Sequence, residues 1–181
     1  MNFEGKVAVI TGSSAGIGAE SAKKITSMGG WVTINYSNSK EAAEEVAHEC
    51  SRLGETPLII KADIASDEGC KHLIDSAFRE FAAINVLINN AGRTRFADHS
   101  NLDALQRDDF ENILALNLNS NYALIKHARP YLGINSKSSI VNISSVAGLR
   151  GLGSSVAYAA SKGALNSMTL ALSRSLGPDG I

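Results

Sequence analysis

Three of the four tyrosines in this chain are followed by a lysine at the fourth position. These pairs lie in YSNSK (36–40), YALIK (122–126) and YAASK (158–162). Residues four apart are neighbours on a helix surface, so a phenol and an ammonium at this spacing can act together in proton transfer. The same spacing also suits a solvated helix face, so the surroundings of each pair must show which one does chemistry.

A glycine-rich stretch, TGSSAGIG at residues 11–18, directly follows an apolar run. Its glycines at 12, 16 and 18 do not form the G-x-G-x-x-G fingerprint. A turn of this kind nevertheless lets the backbone approach a pyrophosphate at the positive N-terminus of the next helix. The stretch predicts a phosphate-binding loop with the hydroxyls of Ser13 and Ser14 as further donors, and a tight turn without a ligand is the alternative.

Two more polar segments follow apolar runs. In NNAG (89–92), two amides and a small Ala-Gly pair suit a flat group lying close by, although a polar turn is an equal alternative. Ser145 ends the run SIVNISS (139–145) and precedes Tyr158 by thirteen residues. Both segments therefore offer polar groups at the ends of predicted strands.

Apolar runs and helix-type periodicity alternate along the chain. Strands are predicted at 6–11, 31–36, 58–62, 86–89 and 139–145. Helices are predicted at 17–28, 39–53, 67–83, about 108–131 and 155–176. Strict alternation predicts an α/β fold, a doubly wound parallel sheet with right-handed crossovers and helices on both faces. Ligands of such sheets bind outside the carboxyl ends of the strands, where the polar segments lie.

The composition restricts the class of protein. A length of 181 residues with 44% hydrophobic residues suits one domain over 1–181. The 17 basic and 18 acidic residues are interspersed, so no basic stripe is available for nucleic acid. The apolar runs are too short for a membrane span, and the start does not resemble a signal peptide. Cys50 and Cys70 suggest no disulfide framework, which fits a cytoplasmic protein.

Two further classes of site are disfavoured by spacing. The four histidines lie far apart, with no HExxH motif and no Cys/His pair at zinc spacing, so no metal site is predicted. The glycine-rich stretch also lacks the G-K-[S/T] of a P-loop, which argues against nucleotide hydrolysis. The spacing therefore disfavours both a zinc-dependent alcohol dehydrogenase and a nucleotide hydrolase.

In combination, these motifs resemble the short-chain dehydrogenase/reductase family, and within it members similar to 3-oxoacyl-[acyl-carrier-protein] reductases. The resemblance runs from residue 5 to the last residue, in the order and at the spacings typical of the family. Any one motif is weak, whereas six in register are highly specific. They are TGxxxGxG at 11–18, Asp63 after the third strand, NNAG at 89–92, Asn117, Ser145 and YxxxK at 158–162.

The resemblance implies that YAASK is the working pair. Tyr158 would donate a proton to a carbonyl oxygen during reduction or remove one from an alcohol during oxidation, and the Lys162 ammonium would favour the phenolate form. Ser145 would hydrogen-bond the same oxygen, and Asn117 would hold a water that passes protons to Lys162. Tyr122 is expected to be a packing residue.

The resemblance also implies a nicotinamide cofactor, with NADP(H) preferred and NAD(H) possible. Strand two ends in Asn35, Tyr36 and Ser37, with no carboxylate to repel a 2′-phosphate. Ser37, Asn38 and Lys40 can offer donors to that phosphate, and Tyr36 is expected near the ribose. The residues expected to bind the cofactor are Gly12, Ser13, Ser14, Gly16, Ile17, Gly18, Tyr36, Ser37, Asp63, Ile64, Asn90, Ala91, Gly92, Tyr158 and Lys162.

Members of the family normally continue beyond the position of Ile181 into a sixth strand. The resemblance therefore predicts a sheet truncated before that strand, with strand five as an exposed edge. Two functional classes stay open, an NADP-dependent carbonyl reductase or alcohol dehydrogenase and a non-catalytic nucleotide-binding or scaffold relative. The intact Asn–Ser–Tyr–Lys set favours the enzyme. Its expected partners are a small carbonyl or alcohol substrate and, in a full-length form, further copies of the same chain.

Overall fold

A computed structural model describes residues 2–134 and 137–181 of the chain. The strands in these ranges are β1 (Val7–Ile10), β2 (Trp31–Tyr36), β3 (Leu58–Lys61), β4 (Val86–Asn89) and β5 (Ser139–Asn142). They form one sheet in the order β3-β2-β1-β4-β5, and every neighbouring pair is parallel. The strand order reverses between β1 and β4, which is where open parallel sheets bind their ligands.

Helices cover both faces of the sheet, as the alternating pattern predicts. They are α1 (Gly16–Thr26), α2 (Lys40–Ser51), α3 (Asp67–Phe81), α4 (Arg107–Leu114), α5 (Ser120–Leu132), α6 (Ala147–Arg150) and α7 (Val156–Leu176). The side chains of β1 alternate between two apolar cores. Ala8 and Ile10 pack with α1 and α2 on one face, whereas Val9 packs with α3 and α5 on the other. The doubly wound fold is confirmed.

The predicted helix at 108–131 is two helices, α4 and α5, joined by a π-helical turn at Ala115–Asn119. The turn carries Asn117, whose backbone oxygen accepts a hydrogen bond from Asn121 Nδ2 at 3.0 Å. A π-helical turn inserts one residue into the helical repeat and often marks a functional site. The spacing of apolar residues does not reveal a single inserted residue, so the sequence pattern predicts one continuous helix here.

The predicted strand at 139–145 is also shorter than expected, because β5 ends at Asn142. The chain then turns, and the short helix α6 begins two residues after Ser145. Ser145 Oγ accepts a hydrogen bond from Ala147 N at 3.1 Å, which ties the serine side chain to the start of that helix. Ser145 therefore stands on a strand-to-helix turn rather than inside the strand.

β5 lies at one edge of the sheet, and Val141 on it is exposed. Strand five is thus the exposed edge that the sequence predicts. Among the described helices, none is long and apolar enough to cross a membrane. No cluster of three or more His, Cys, Asp or Glu that could hold a metal ion is found in residues 2–134 and 137–181.

Candidate active site

The glycine-rich loop leaves the carboxyl end of β1 and packs directly on the NNAG segment. Gly12 and Gly16 have φ values of 59° and 57°, in the left-handed region that favours glycine. A Cβ on Gly12 would lie 2.9 Å from Ala91 Cβ, and one on Gly18 would lie 2.6 Å from Asn90 Nδ2. The loop needs glycine at positions 12 and 18 because no side chain fits between the two segments.

Hydrogen bonds fix the same two segments to each other. Thr11 Oγ1 accepts from Asn90 N at 2.9 Å and from Ala91 N at 3.0 Å. In the other direction, Asn90 Nδ2 donates to Thr11 O at 2.9 Å and to Gly12 O at 3.1 Å. Thr11 was not among the predicted site residues, although it opens the TGxxxGxG motif. The side-chain nitrogen of Asn90 consequently holds the loop, while its predicted contact with the cofactor stays a prediction.

The two serines of the loop have different surroundings. Ser13 is fully buried, and its Oγ donates to Ile10 O at 2.8 Å and accepts from Asn35 N at 2.9 Å. Its predicted role as a hydroxyl donor to a ligand is therefore corrected, since both functions of the hydroxyl are used inside the protein. Ser14 lines the cavity beside the loop and keeps that role as a prediction.

Helix α1 begins at Gly16 with unsatisfied donors. Its N-cap residue, Ala15, provides no side-chain hydrogen bond, and its first turn carries no acidic residue. The first N–H groups of a helix lack partners within the helix, and the helix dipole adds positive potential there. A Cβ on Gly16 would meet no atom within 4 Å, and the side chain of Ile17 next to it is exposed. This end of α1 is suited to an anionic group.

A cavity of about 270 Å³ opens at the carboxyl ends of β1, β2, β3 and β4. Nine of the predicted cofactor-binding residues line it: Gly12, Ser14, Tyr36, Ser37, Asp63, Ile64, Asn90, Ala91 and Gly92. Gly16, Ile17 and Gly18 stand at the start of α1 beside it, and Ser13 is buried beneath. Tyr158 and Lys162 belong to the adjoining catalytic group, which is defined as the four residues predicted to be catalytic: Asn117, Ser145, Tyr158 and Lys162. The structure thus places the predicted set along one edge of the sheet.

Lys162 is buried at the base of the catalytic group, with 4% of its surface exposed. Its Nζ donates to Ile143 O at 2.7 Å and lies 5.8 Å from the centroid of the Tyr158 ring. Burial lowers the pKa of the Lys162 ammonium below its usual value. The Tyr158 backbone is held by the N-cap of α7, because Ser155 Oγ accepts from Tyr158 N at 3.3 Å.

Gly92 joins the cavity to the catalytic group. A Cβ on Gly92 would lie 3.7 Å from Lys162 Nζ and 3.2 Å from Asn117 Oδ1. The end of the NNAG segment therefore runs directly beside the lysine and the asparagine. A flat ring lying on this backbone from the cavity side would be within reach of Lys162.

Asn117 is fully buried, and both ends of its side-chain amide are bonded. Oδ1 accepts from Arg93 N at 2.8 Å, and Nδ2 donates to Arg93 O and to Ser161 Oγ, both at 3.0 Å. Ser161 Oγ in turn donates to Tyr158 O at 2.7 Å. Asn117 links the chain after NNAG to the backbone of Tyr158, while its predicted contact with a water stays a prediction.

Ser145 stands beside this group on the turn after β5. The bond from Ala147 N uses a lone pair of Ser145 Oγ and leaves the hydroxyl hydrogen free to be donated. The neighbouring Ser144 Oγ donates to Lys162 O at 3.3 Å. The turn that carries Ser145 is thereby tied to the helix that carries Tyr158 and Lys162.

The other two Tyr–Lys pairs lie elsewhere. Tyr122 is 54% exposed on α5, which does not fit the expectation that it is a packing residue. Tyr36 is buried at the end of β2 and lines the cavity, but Lys40 forms an ion pair with Glu44 at 3.2 Å. Only YAASK combines a buried lysine, a capped helix start and a neighbouring serine.

The buried ammonium of Lys162 predicts a pH effect on stability. Because its pKa is lower in the folded chain than in the unfolded chain, the unfolded chain binds more protons between the two values. Stability contributed by this group therefore rises with pH through that window. We expect the difference in free energy of unfolding between the ligand-free wild type and Lys162→Met to shift in favour of the wild type as pH rises from neutral towards the usual lysine pKa.

Urea unfolding at several pH values measures this difference, and other titrating groups cancel in it. Lys126→Met is the matched control, because Lys126 is exposed on α5 and water surrounds its ammonium in both states. A Lys162 difference that stays flat, or that moves against the wild type as pH rises, would contradict the prediction.

The family model described as short chain dehydrogenase matches residues 6–181 of the chain. The chain therefore belongs to the short-chain dehydrogenase family of oxidoreductases, and the class predicted from its motifs is confirmed. It is an enzyme class that acts on carbonyl and alcohol groups, so the non-catalytic alternative is not adopted.

Individual relatives cover nearly the whole chain. The 3-oxoacyl-[acyl-carrier-protein] reductase FabG of Staphylococcus aureus is 32% identical over 176 residues, which are 97% of this chain and 70% of that protein. A short chain dehydrogenase from Burkholderia cenocepacia J2315, solved in complex with NADP, matches with a TM-score of 0.92 and 35% identity over 100% of this chain and 72% of that one. NAD+-bound xylitol dehydrogenase matches with a TM-score of 0.93 and 28% identity, over 100% of this chain and 68% of that one.

The site fits a dinucleotide on its own chemistry. The uncapped N-terminus of α1 offers backbone donors of the kind that bind a pyrophosphate. The cavity beyond it offers the side chains of Tyr36, Ser37 and Asp63 for a ribose and base. Gly92 keeps the backbone open for a flat ring next to Lys162.

Proposed function

We propose that this chain binds NADP(H) and catalyses the reversible reduction of a carbonyl compound to an alcohol, with Tyr158 as the general acid and base. The observation that carries the proposal is the buried Lys162 one helical turn after Tyr158, placed beside the end of NNAG where the cofactor cavity meets the catalytic group. A bound nicotinamide would supply the hydride in reduction and take it back in oxidation.

The residues of this chain have separate tasks in the proposed reaction. Tyr158 donates its phenolic proton to the substrate oxygen as negative charge develops there, and removes that proton in the reverse direction. Ser145 donates its hydroxyl hydrogen to the same oxygen, which stabilises the developing charge. The positive charge of Lys162 favours the phenolate that Tyr158 becomes, so that proton transfer in either direction needs less energy.

The proposed substrate is a small carbonyl compound, with 3-oxoacyl thioesters as the leading class because a relative of similar sequence is named as a reductase of that kind. The test is to follow NADPH absorbance with purified chain and a panel of ketones that includes a 3-oxoacyl thioester. The proposal is supported if the wild type consumes NADPH with a member of the panel and the Tyr158→Phe variant does not. If NADPH binds but is not consumed with any member of the panel, the proposed cofactor binding is supported and the proposed carbonyl reduction is not.

We expect NADPH to bind more tightly than NADH. The cavity wall after β2 consists of Ser37, Asn38 and Ser39, which offer donors to a 2′-phosphate and carry no carboxylate; the carboxylate of the cavity, Asp63, belongs to the segment after β3. One added hydrogen bond to a charged phosphate corresponds to roughly tenfold in affinity. The ion pair between Lys40 and Glu44 is exposed and costs little to break, so the lysine can turn towards the phosphate.

Fluorescence titration with both cofactors measures this preference. Lys40→Ala should reduce the difference in affinity between the two cofactors, because it weakens the binding of NADPH and leaves the binding of NADH unchanged. An equal weakening of both cofactors would show that Lys40 does not contact the phosphate, and tighter binding of NADH in the wild type would reverse the assignment.

The proposed macromolecular partner is a second copy of this chain. Tyr122, Met168 and Ala171 line an apolar groove between α5 and α7, and Leu170 beside it is exposed. An exposed apolar surface of this kind is typical of an interface, and a two-fold axis along it would bury the same groove on both copies. Sedimentation should show a mass above that of one chain, and the Tyr122→Glu variant should lower that mass.

The expected cytoplasmic location is kept as part of the proposal, supported by two free, buried cysteines.

A further inference from the structure

Asn35, the last residue but one of β2, turns its side-chain amide into the protein, where only 2% of the residue is exposed. Its Oδ1 accepts from Gly12 N at 3.1 Å, and its Nδ2 donates to Ala62 O, also at 3.1 Å. Gly12 belongs to the glycine-rich loop after β1, and Ala62 directly follows β3. One side chain therefore bridges the ends of the two strands that flank its own.

The backbone of Asn35 holds the next residue of the same loop. Ser13 N donates to Asn35 O at 3.1 Å, and Asn35 N donates to Ser13 Oγ at 2.9 Å. Together with the amide contact, these bonds satisfy two consecutive backbone donors of the loop, at Gly12 and Ser13. Asn35 is thus the residue of the neighbouring strand that holds these two donors of the loop, in addition to the bonds that Asn90 makes to it.

Gly12, after β1, and Ala62, after β3, both line the cofactor cavity. The Asn35 amide sets the distance between them, because it bonds to both residues at once. A neutral amide carries an acceptor and a donor on one carbon, which is the combination that Gly12 N and Ala62 O require. Leucine has nearly the same shape without either group, and serine is too short to reach both.

We propose that Asn35 is a positioning residue that holds the phosphate-binding loop against the wall formed after β3, and so keeps the cavity in the shape that admits the dinucleotide. This inference rests on the proposed function. Tyr158 and Ser145 do not line this cavity, so Asn35 acts on cofactor affinity and not on the chemical step.

The test compares wild type, Asn35→Leu and the smaller change Asn35→Ser, which keeps a polar group if the leucine variant does not fold. The first measurement is hydrogen exchange of the Gly12 amide in the ligand-free protein by NMR, and the second is the Kd for NADPH with kcat at saturating cofactor. Losing one or two buried hydrogen bonds should accelerate exchange at Gly12 by at least about tenfold and raise the Kd for NADPH by about tenfold. The value of kcat should change less than about threefold.

Thr33→Val is the matched control, since Thr33 is buried on the same strand and its Oγ1 has no partner among the described residues. It should leave both measurements unchanged. Gly12 protection and NADPH affinity within about twofold of wild type in the Asn35 variants would overturn the inference. So would a fall in kcat with an unchanged Kd. A wild-type chain that binds no NADPH would overturn the proposed function instead, and exchange at Gly12 would still show whether Asn35 holds the loop.

Discussion

Replacing Tyr158 by phenylalanine is expected to reduce turnover by about a hundredfold or more while leaving the Kd for NADPH nearly unchanged. The variant keeps the ring that packs beside Lys162 and removes only the hydroxyl that carries the proton. Its backbone stays held by Ser155 and Ser161, whose hydrogen bonds involve the main chain of residue 158. Single-turnover measurement of hydride transfer, together with cofactor titration, separates the chemical step from binding.

Tyr122→Phe is the matched control because it belongs to a second Tyr–Lys pair at the same spacing. Tyr122 is exposed on α5 at the groove with α7, away from the cofactor cavity, so losing its hydroxyl should change turnover less than about twofold. Tyr36→Phe tests the third pair and should affect cofactor binding before the chemical step. Loss of turnover in Tyr122→Phe with activity retained in Tyr158→Phe would reverse the assignment.

The fold was predictable because each strand and helix carries a strong local signal. The residues of β1 are all apolar and end in glycines, which is typical of a central parallel strand. Helix α7 starts within one residue of its prediction, because Ser155 is a favourable N-cap that accepts from Tyr158 N. The break in the helix at Ala115–Asn119 was not predictable in this way. It depends on hydrogen bonds between Asn117 and Arg93, two residues that are distant in sequence.

The site was predictable in part, for a related reason. Residues expected to contact a ligand follow strands and fall into short motifs, so Gly12, Ser145 and Tyr158 could be proposed from spacing. Residues that hold those motifs in place are chosen by the tertiary fold. Asn35 could be read only as part of a strand end without a carboxylate, and the burial of Ser13 beneath the loop has no signature in the sequence.

Gly148 on α6 shows how the fold sets the distance between Ser145 and the residues of α7 that we propose as catalytic. A Cβ at this position would lie 2.5 Å from the backbone carbon of Lys162 and 2.7 Å from Gly163 N. Helix α6 therefore touches the backbone of α7 at the level of Lys162. Gly148 N also donates to Ser145 O at 3.1 Å, so the same residue connects the serine turn to the lysine helix.

We expect Gly148→Ala to lower turnover by on the order of a hundredfold, although residue 148 contacts no substrate in the proposed reaction. A contact of 2.5 Å against backbone must open by about 1 Å, and misplacement of that size can cost a hundredfold in rate. The separation moves Ser145 away from Tyr158, so kcat should fall while the Kd for NADPH stays within about threefold, because the cavity lies on other strands. Overpacking should also cost about 1–3 kcal/mol of unfolding free energy, measured by urea unfolding.

Gly177→Ala is the matched control for Gly148→Ala, because a Cβ at Gly177 meets nothing within 4 Å and its φ of −54° suits any residue. It should leave turnover unchanged and stability equal or slightly higher, since alanine restricts the unfolded chain more than glycine does. If Gly148→Ala loses stability but keeps full turnover, α6 moves without carrying Ser145, and the contact with α7 does not set the catalytic distance. If cofactor binding is lost together with turnover, the contact supports the whole carboxyl edge of the sheet rather than the serine alone.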